Sequence, residues 1–407
     1  MIKNRDIIVI GLQAWDITIG SNCRDLAKEF AKHNRVLYVN SPLDRATILR
    51  KRRDPAIKKR MDILHGKSED LIRITDNLWT LYPRTLLESV SRIPWNWLFD
   101  AGNRINNRRF AREILSAVRK LGFKDYILFN DTSIYRGLYM KELLHPRLYV
   151  YYDRDNLLAM DFWKKHAPRL EPELMRKADL VLTNSDFFTD RAKKYNPHSF
   201  NVGSGIDISL YNKKNIQSVP PDIASIPRPV IGYNGALLAM RLDLELIDYL
   251  ARENPGWNIV LIGPEDEEFR TSSLHGRPNI HFLGHKKPQE LPAYISSFDV
   301  AMNPQKVNEV TLVNYPRKID EYLAMEKPVV ATRTDAMVTL FSEYTYLAKD
   351  KVEFSAMIRK ALEENSPEQE KKRRSYAVSH SWENNAAGIL KLMKERMQSM
   401  YAETAGQ

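Results

Sequence analysis

The chain has 407 residues, a formal net charge of +11 and a single cysteine, Cys23. A single hydrophobic core stops growing below this length, so we expect two domains, and one cysteine excludes a framework of intramolecular disulfides. The net charge favours an anionic partner, such as a nucleotide, an acidic glycan or an anionic lipid. We find no signal-peptide pattern and no apolar run of ~20 residues, so we expect a cytoplasmic protein that can lie on the inner face of the plasma membrane.

Apolar runs alternate with amphipathic segments through the first half of the chain, which predicts a parallel sheet covered by helices. The runs that predict strands are 6–11, 35–40, 126–131, 147–153 and 180–185. The carboxyl ends of parallel strands share one edge of the sheet, and ligands gather at that edge. The polar residues at these ends, which we expect to face one cleft, are Asn130, Asp131, Asp153 and Asp155.

A strongly basic segment, residues 45–60, follows the second predicted strand. It is interpreted either as a solvated loop or as a patch for phospholipid headgroups or a polyprenyl-diphosphate acceptor, since each basic residue near an anionic surface adds about 1 kcal/mol. The segment has no aromatic side chains on which bases would stack, which disfavours nucleic acid. Trp95 and Trp97 open a long predicted helix that is rich in arginine, a composition suited to a membrane interface or a sugar-binding rim. We expect peripheral membrane contact at both places.

The second half of the chain restarts the α/β pattern after a glycine-containing segment, residues 200–207, and a proline-rich stretch that ends at Arg228. These features predict a hinge and a linker. The strands predicted beyond them are 229–235, 258–264, 279–284 and 299–304. The predicted domains are 1–205 and 206–380, followed by a C-terminal helix at 381–407. Arg241 precedes the first helix of the second domain, where a guanidinium can meet a diphosphate in a bidentate manner.

The stretch that carries most of the functional prediction is residues 314–332, NYPRKIDEYLAMEKPVVAT. The residues with helical spacing that we expect to share one buried face are Ile319, Tyr322, Leu323 and Met325. Lys318 and Glu321 are three residues apart, so we expect them to project from one side of the helix as a charged pair. Residues 329–332 predict a short buried strand. A helix start with a cation and a carboxylate beside a parallel strand predicts a nucleotide cradle, with phosphate at free N–H groups and ribose at Glu321.

This stretch resembles the nucleotide-sugar signature of the retaining GT-B glycosyltransferases of family 4, in which Pro-x-Lys-x-x-Glu-Tyr-Leu-Ala-x-Gly-Lys-Pro-Val-Val recurs. The resemblance places Glu321 at the position that holds the donor ribose. Val313 stands where the family often carries another glutamate. The groups that can contact the sugar in its place are Asn314, Lys318 and Glu309. Glu326 stands where the family has a turn glycine, a difference that we expect to change only the turn geometry.

The resemblance extends along the chain and implies further positions at a donor site. It implies an α/β GT-B fold of two facing Rossmann-like, doubly wound domains, with the nucleotide-sugar on the second domain and the acceptor on the first. A glycine loop after the first strand, here Gly20, would approach the donor diphosphate. In the second domain a glycine turn at Gly235 would be followed by the cation Arg241. The turn at Gly263 and the backbone around Leu283 would lie near the base.

Residues 152–156, YDRDN, resemble a Tyr-Asp-x-x-Asp-Asp pattern of a bacterial surface-polysaccharide branch of the same family. Asp153 is therefore our candidate for orienting acceptor or sugar hydroxyls. The catalytic residues predicted on these grounds are Asp153, Arg241 and Lys318. The letters Asp-x-Asp at 153–155 match the metal-binding pair of the other main glycosyltransferase fold, but they fall in the acceptor half. We expect no metal and no other cofactor, because side-chain cations and helix termini would neutralise the leaving diphosphate.

The function implied by the resemblance is retaining transfer of a sugar from a UDP- or GDP-sugar to a glycan or a polyprenyl-diphosphate-linked acceptor, in cell-surface polysaccharide biosynthesis. The alternatives are a non-hydrolysing NDP-sugar epimerase and a non-catalytic GT-B binding protein. An epimerase would use histidines and carboxylates around the sugar, and the predicted cleft offers few histidines. Val313 and the single cation after Gly235 keep the non-catalytic alternative open. A nucleic-acid-binding protein is the last alternative, and we expect no nucleic-acid partner.

Overall fold

The computed structural model describes residues 2–16, 21–154, 156–308, 311 and 315–405. It divides the chain into two compact units. The first unit comprises Met1–Gly203 together with Asn385–Gln407, and the second comprises Ser204–Asn384. The first unit is therefore discontinuous in sequence, whereas the second is one continuous segment.

The first unit contains a mostly parallel α/β sheet and a small two-stranded pair. Its strands are β1 (Asp6–Ile10), β2 (Arg35–Val39), β3 (Leu43–Asp44), β4 (Leu71–Thr75), β5 (Leu78–Leu81), β6 (Leu86–Leu87), β7 (Ile127–Asp131), β8 (Leu148–Asp153), β9 (Leu180–Thr183) and β10 (Ser199–Asn201). Its helices before the second unit are α1 (Asn22–Ala31), α2 (Arg45–Arg50), α3 (Pro55–Leu64), α4 (Asn96–Leu121), α5 (Ile134–Gly137), α6 (Met140–Leu144), α7 (Asp161–Lys164), α8 (Ala167–Lys177) and α9 (Asp186–Lys193), with 3-10 turns at Val90–Arg92 and Leu157–Ala159.

The large sheet of this unit runs in the order β10-β9-β8-β7-β1-β2-β5-β4, while β3 pairs with β6. All its neighbouring strands are parallel except β4 and β5, which are antiparallel. Ile7, Ile8, Val9 and Ile10 of the central strand β1 are fully buried. A strand covered on both faces has no side that needs polar residues, which explains the uninterrupted apolar runs of the sequence. The strand order reverses between β1 and β7, so the carboxyl ends of these two strands flank the switch point.

The basic segment 45–60 is folded rather than a loop, since it forms α2 and most of α3. Three of its cations are engaged within the first unit. Arg45 pairs with Glu88 at 2.8 Å, Lys59 pairs with Asp16 at 3.1 Å, and Arg60 donates to the carbonyl of Ser41. No ion pair is described for Arg50, Lys51, Arg52, Arg53 or Lys58, and all five are exposed. Trp95 and Trp97 are also exposed, at the start of α4.

The second unit is a six-stranded parallel sheet with helices on both faces. Its strands are β11 (Val230–Asn234), β12 (Asn258–Ile262), β13 (Ile280–Gly284), β14 (Val300–Asn303), β15 (Val329–Thr332) and β16 (Tyr346–Ala348). Its helices are α10 (Pro221–Ala224), α11 (Leu244–Glu253), α12 (Glu267–Arg270), α13 (Leu291–Ser296), α14 (Lys318–Ala324), α15 (Asp335–Phe341), α16 (Lys351–Glu364) and α17 (Pro367–Ser379), with 3-10 turns at Lys213–Asn215 and Ser273–Gly276.

Two apolar clusters cover the two faces of this sheet. Ile231 and Tyr233 of β11 belong to one cluster, and Val230 of the same strand belongs to the other, as expected for side chains that alternate along a strand. The predicted buried face of α14 is confirmed, because Ile319, Tyr322, Leu323 and Met325 are all fully buried. Burying each such side chain contributes about 1.5–3 kcal/mol, so these contacts fix α14 firmly on the sheet.

The C-terminal helix α18 (Trp382–Ala405) starts in the second unit and continues in the first. Within the first unit, the Arg396 guanidinium donates to the carbonyl of Asp179 at 2.9 Å, and the Asn385 amide donates to the carbonyl of Val202 at 2.5 Å. Across the residues that the structure describes, no helix is both long enough and apolar enough to cross a membrane.

Candidate functional site

The strand order of the second unit identifies the edge where a ligand would bind. The sheet runs β13-β12-β11-β14-β15-β16, which is the order 3-2-1-4-5-6 of doubly wound dinucleotide folds. The connection changes direction between β11 and β14, and ligands of such sheets bind beyond the carboxyl ends of the strands at this switch point. Asn234 ends β11 and Gly235 follows it, and Asn303 ends β14. The candidate site lies around these residues.

Two glycine turns lie at this edge of the sheet. Gly235 has φ +143° and Gly263 has φ +152°, backbone conformations that side chains other than glycine rarely adopt. The N–H of Gly235 donates to the carbonyl of Ile262 at 2.8 Å. A Cβ atom on Gly263 would lie 1.8 Å from the carbonyl oxygen of Gly235, so the turns after β11 and β12 pack directly on each other.

Lys318 lies over the first of these turns. Its ammonium is 4.9 Å from the centroid of the Tyr233 ring, and its Nζ lies 3.2 Å from the position that a Cβ on Gly235 would occupy. Lys318 and Glu321 form no ion pair with each other, which corrects our expectation of a charged pair on one helix side. The cation–π contact with Tyr233 holds the ammonium over the glycine turn instead. No carboxylate among the described residues pairs with Lys318, so its charge is available to an anion.

Glu321 is held one turn further along α14 by the last residue of β11. The Asn234 side-chain amide donates to Glu321 Oε2 at 3.5 Å, and the Asn234 backbone N–H donates to the Tyr322 hydroxyl at 3.1 Å. Burial, followed by the nearby Glu321 carboxylate, raises the pKa of the Tyr211 hydroxyl well above its ordinary value. Asn234 is 2% exposed, and its Oδ1 has no hydrogen-bond partner in the described part of the chain.

Sequence reasoning missed Asn234, Tyr233 and Tyr211. The signal for the first two was present in the sequence, because both stand at the carboxyl end of the strand that leads into the glycine turn. Tyr211 lies in the segment that we interpreted as a linker. Its position beside Glu321 depends on tertiary packing, which no local pattern encodes.

Arg241 is exposed on the loop between β11 and α11. Three hydrogen bonds tie this loop to the segment after β14: Asp243 N to Pro304 O at 3.0 Å, Lys306 N to Arg241 O at 2.8 Å, and Asn308 Nδ2 to Met240 O at 2.7 Å. These bonds bring the loop to the end of β14, at the switch point. No ion pair is described for the guanidinium.

Leu283 lies near the end of the edge strand β13. The register there shifts, so that Leu261 pairs with Phe282 but Ile262 pairs with Gly284. Leu283 is half-buried and packs against the apolar cluster that contains Tyr322. Gly20 and Asn314 lie outside the described residues, as do Asp155, Glu309 and Val313.

Glu326, which stands in place of the turn glycine, follows the end of α14 in a conformation typical of glycine. It adopts φ +64°, the left-handed conformation that glycine usually supplies after a helix. The N–H of Lys327 donates to the carbonyl of Tyr322 at 3.0 Å, which closes the helix end. The side chain reaches Lys213 at 3.3 Å.

In the first unit, the polar strand ends are buried rather than directed into an open cleft. Asn130, Asp131 and Asp153 are fully buried. Asp131 forms a bidentate ion pair with Arg154 at 2.7 and 3.0 Å, and Asp153 pairs with Arg191 at 2.7 Å. Buried carboxylates need such cations because transfer from water is costly for an unpaired charge. Asp153 thus anchors an internal ion pair, and its assignment to acceptor binding remains a prediction.

Arg191 also holds Glu171 at 3.1 Å, and the Tyr151 hydroxyl donates to Glu171 Oε1 at 2.9 Å. Burial and, second, the nearby Asp153 carboxylate raise the pKa of Glu171 to about 8. The folded protein therefore keeps a proton that an unfolded chain releases near pH ~4.3. Between this value and about pH 8 the folded state binds more protons than the unfolded state, so stability falls as pH rises.

We expect Glu171→Gln to flatten this dependence, since an amide accepts from Tyr151 without titrating. The drop in Tm between pH 5.5 and pH 8 should shrink to half or less of the wild-type drop. Glu173→Gln on the same helix is the control, because this carboxylate is half-exposed and pairs with Lys177. Equal pH dependence of Tm in wild type and Glu171→Gln would show that the carboxyl does not stay protonated.

No group of three or more histidine, cysteine, aspartate or glutamate side chains suited to a metal ion occurs within the described ranges. The cations at the candidate site are Lys318 and Arg241. An anion bound at the glycine turn would meet the ammonium of Lys318. Hydroxyl groups bound beside it would meet the Glu321 carboxylate, which the Asn234 amide holds in place. This is the chemistry that a nucleoside diphosphate requires.

Comparison with known proteins agrees with this chemistry. Residues 228–364 match the family model for "Glycosyl transferases group 1". The chain is also 25% identical over 239 residues to the protein named "Putative teichuronic acid biosynthesis glycosyltransferase TuaH" of Bacillus subtilis (strain 168). That alignment covers 56% of this chain and 60% of the relative's length.

Solved structures show the same fold. Sucrose-phosphate synthase from Thermosynechococcus elongatus superposes with a TM-score of 0.66 at 16% identity and covers 97% of this chain and 100% of its own. Anabaena Alr3699/HepE in complex with UDP-glucose superposes with a TM-score of 0.59 at 15% identity. The alignment covers 98% of this chain and 99% of the Anabaena chain. The α,α-trehalose 6-phosphate synthase from Burkholderia multivorans superposes with a TM-score of 0.65 at 11% identity. The alignment covers 99% of this chain and 100% of the Burkholderia chain.

These likenesses define an α/β protein of the GT-B fold class, which confirms the fold that the sequence predicted. The family match lies in the second unit and includes the stretch 314–332, which resembles the same family in its sequence.

Proposed function

We propose that this protein transfers a glycosyl group from a nucleotide-sugar to a glycan or lipid-linked acceptor in cell-surface polysaccharide biosynthesis. The observation that carries the proposal is the ammonium of Lys318, which pairs with no carboxylate among the described residues and is held over the Gly235 turn at the switch point of the second unit. The Anabaena protein of the same fold has been crystallised with UDP and with UDP-glucose, and the Bacillus relative is named for teichuronic acid biosynthesis. A UDP-sugar is therefore the first donor to test, and a GDP-sugar the second.

The donor diphosphate would lie on the turn at Gly235, between the ammonium of Lys318 and the guanidinium of Arg241. The carboxylate of Glu321 would accept hydrogen bonds from the ribose hydroxyls, and Asn234 would hold that carboxylate in place. A cation held in place before the reaction, as the Tyr233 ring holds Lys318, stabilises charge on a departing diphosphate without reorganising, which is the main source of catalysis in sites of this kind. We propose that no metal ion is needed for this reason.

In the reaction, the acceptor oxygen bonds to the anomeric carbon as the bond from that carbon to the diphosphate oxygen breaks. The acceptor proton passes to a phosphate oxygen of the leaving group. The products are a nucleoside diphosphate and the lengthened glycan. Attack from the face that the diphosphate leaves retains the anomeric configuration, which is the outcome we propose.

Thermal shift against a panel of UDP-, GDP-, ADP- and dTDP-sugars, with and without EDTA, tests the donor site. A ligand at a hundred times its Kd stabilises by about 2.7 kcal/mol, so one nucleotide family should give a clear rise in Tm that EDTA leaves unchanged. Glu321→Ala should weaken this donor at least tenfold, since a hydrogen bond to a charged group contributes about 1.5–3 kcal/mol. Glu363→Ala, an exposed position on α16 with no described partner, is the control.

The other outcomes identify the alternatives. Conversion of the donor to an epimer without any acceptor would indicate an NDP-sugar epimerase. Donor binding that depends on Glu321, with no release of nucleoside diphosphate in the presence of membrane acceptors, would indicate a binding protein. If no nucleotide-sugar shifts Tm, the proposed function is wrong.

A further inference from the structure

A second pocket lies in the first unit, remote in sequence from the donor residues. Its volume is about 450 Å³, and it is enclosed by α2, the 3-10 turn Val90–Arg92, α5 and α7. Aromatic rings form one wall: Tyr135 lies 4.5 Å from Trp163, and Trp163 lies 4.9 Å from Phe162, measured between ring centroids. Helix α5 lines the pocket with Tyr135 and Arg136, and it begins three residues after β7, at the carboxyl edge of the sheet.

Four cations line this pocket: Arg50, Lys51, Arg92 and Arg136. In the part of the chain that the structure describes, none of them forms an ion pair. Arg136 is the deepest, and its guanidinium donates to Ser41 Oγ at 3.1 Å. Burial lowers the pKa of Arg136 to about 10, although the nearby Asp44 carboxylate acts in the opposite direction, so this positive charge lies largely away from water. Such a charge is stabilised when an anion enters.

Two of the three carboxylates that line the pocket form hydrogen bonds or ion pairs with other side chains. Asp44 accepts from the backbone N–H and the hydroxyl of Thr47 at 3.1 and 2.6 Å, and from the Ser89 hydroxyl at 2.7 Å. Glu88 pairs with Arg45 at 2.8 Å and with Arg109 at 2.9 Å. Asp161 is the remaining acidic side chain of the lining. Among the described lining residues, four cations therefore face two carboxylates, Asp44 and Asp161, that are not paired with cations outside the pocket, so positive charge is in excess beside the aromatic wall.

Large apolar side chains stand exposed on the segments that form this pocket. Leu49 on α2 is 81% exposed, and Phe162 on α7 is 50% exposed. Trp95 and Trp97, which are 60% and 70% exposed, follow within five residues of the lining residue Arg92. Exposed tryptophans beside basic residues are typical of proteins that lie in the interfacial layer of a bilayer.

We propose that this pocket binds the phosphate-bearing end of a lipid-linked acceptor, with the exposed apolar side chains resting in the membrane surface. The cations Arg50, Lys51, Arg92 and Arg136 would hold the phosphate groups, and the wall of Tyr135, Phe162 and Trp163 would contact the first carbons of the lipid chain. This inference names the acceptor class for the proposed function and rests on it. Binding of such a lipid is measurable without turnover.

The test measures binding of the protein to phosphatidylcholine vesicles that contain a few mole per cent of a long-chain polyprenyl diphosphate. A second set of vesicles contains phosphatidylglycerol instead of the polyprenyl diphosphate, in an amount that gives the same total negative charge. The pocket variant is Arg50→Ala/Arg92→Ala, and the matched control is Arg52→Ala/Arg53→Ala, which removes two exposed cations of the same region that do not line the pocket. Each cation near an anionic surface contributes about fivefold in affinity.

We expect the pocket variant to lose at least tenfold in affinity for polyprenyl-diphosphate vesicles relative to the control variant, and the two variants to differ little on phosphatidylglycerol vesicles. Equal losses in both variants on both vesicles would overturn the pocket and leave only charge-driven adsorption to membranes. Preferential binding of free pyrophosphate, with no preference for the lipid, would overturn the lipid assignment. Nucleotide-sugar thermal shift on the same preparations is read separately. Pocket-dependent lipid binding without any nucleotide-sugar shift would reject the proposed function and leave the pocket assigned.

Discussion

Replacing Lys318 with methionine should reduce kcat by about 10²- to 10³-fold, the loss that follows removal of one preorganised group that stabilises charge in the transition state. Methionine keeps an unbranched side chain as far as Cε and removes the ammonium, so the loss would come from the charge. The structure supports this role because the ammonium lies over the Gly235 turn without a described carboxylate partner. In the ground state the donor keeps Glu321 and Arg241, so we expect KM to change less than kcat.

The measurement is release of nucleoside diphosphate by wild type and variant with the donor identified by thermal shift. Lys360→Met on the exposed face of α16 is the control, since it removes one lysine whose nearest described carboxylate, Glu364, lies 3.8 Å away at the surface. A kcat of Lys318→Met within threefold of the wild-type value would refute the assignment.

Gly263→Ala should destabilise the protein by about 3 kcal/mol or more. The residue sits at φ +152°, and backbone strain of this kind costs about 1–3 kcal/mol for any other side chain. The added Cβ would also lie 1.8 Å from the Gly235 carbonyl oxygen, a distance that forces the two turns apart. Because the same turns form the floor of the donor site, the variant should lose affinity for the nucleotide-sugar even at temperatures where it remains folded.

Denaturant unfolding of wild type, Gly263→Ala and Gly256→Ala provides the comparison. Gly256 lies in the turn before β12, and an added Cβ there meets no atom within 4 Å. We expect its free energy of unfolding to stay within about 0.5 kcal/mol of wild type, as for most surface substitutions. If both variants lose stability equally, the contact between the turns is not what constrains Gly263.

The sequence predicted the fold well because each signal was local. Strand β15 coincides with the apolar run 329–332, and the spacing of Ile319, Tyr322, Leu323 and Met325 identified the buried face of α14. A fully buried parallel strand and an amphipathic helix leave these patterns wherever they occur in a chain. The family resemblance supplied the GT-B class, which the comparisons confirm.

The details of the site depended on distant residues and were predicted less well. Helical spacing predicted that Lys318 would pair with Glu321, but the ring of Tyr233 on a neighbouring strand directs the lysine elsewhere. The same difficulty applies to Asp153, whose partner Arg191 lies 38 residues further along the chain. A pattern read along the chain shows which residues are polar, and only the packed structure shows which of them are already engaged.

The discontinuity of the first unit has a consequence for how the protein is made. A ribosome that adds about 5–20 residues per second completes Gly203 and then synthesises the whole second unit before it reaches Asn385. For roughly 10–40 s the first unit therefore lacks the segment whose Arg396 binds the carbonyl beside β9. The second unit can fold during this interval as one uninterrupted piece of chain. The unit that we propose to receive the lipid is therefore completed only after the unit that we propose to bind the donor has been synthesised.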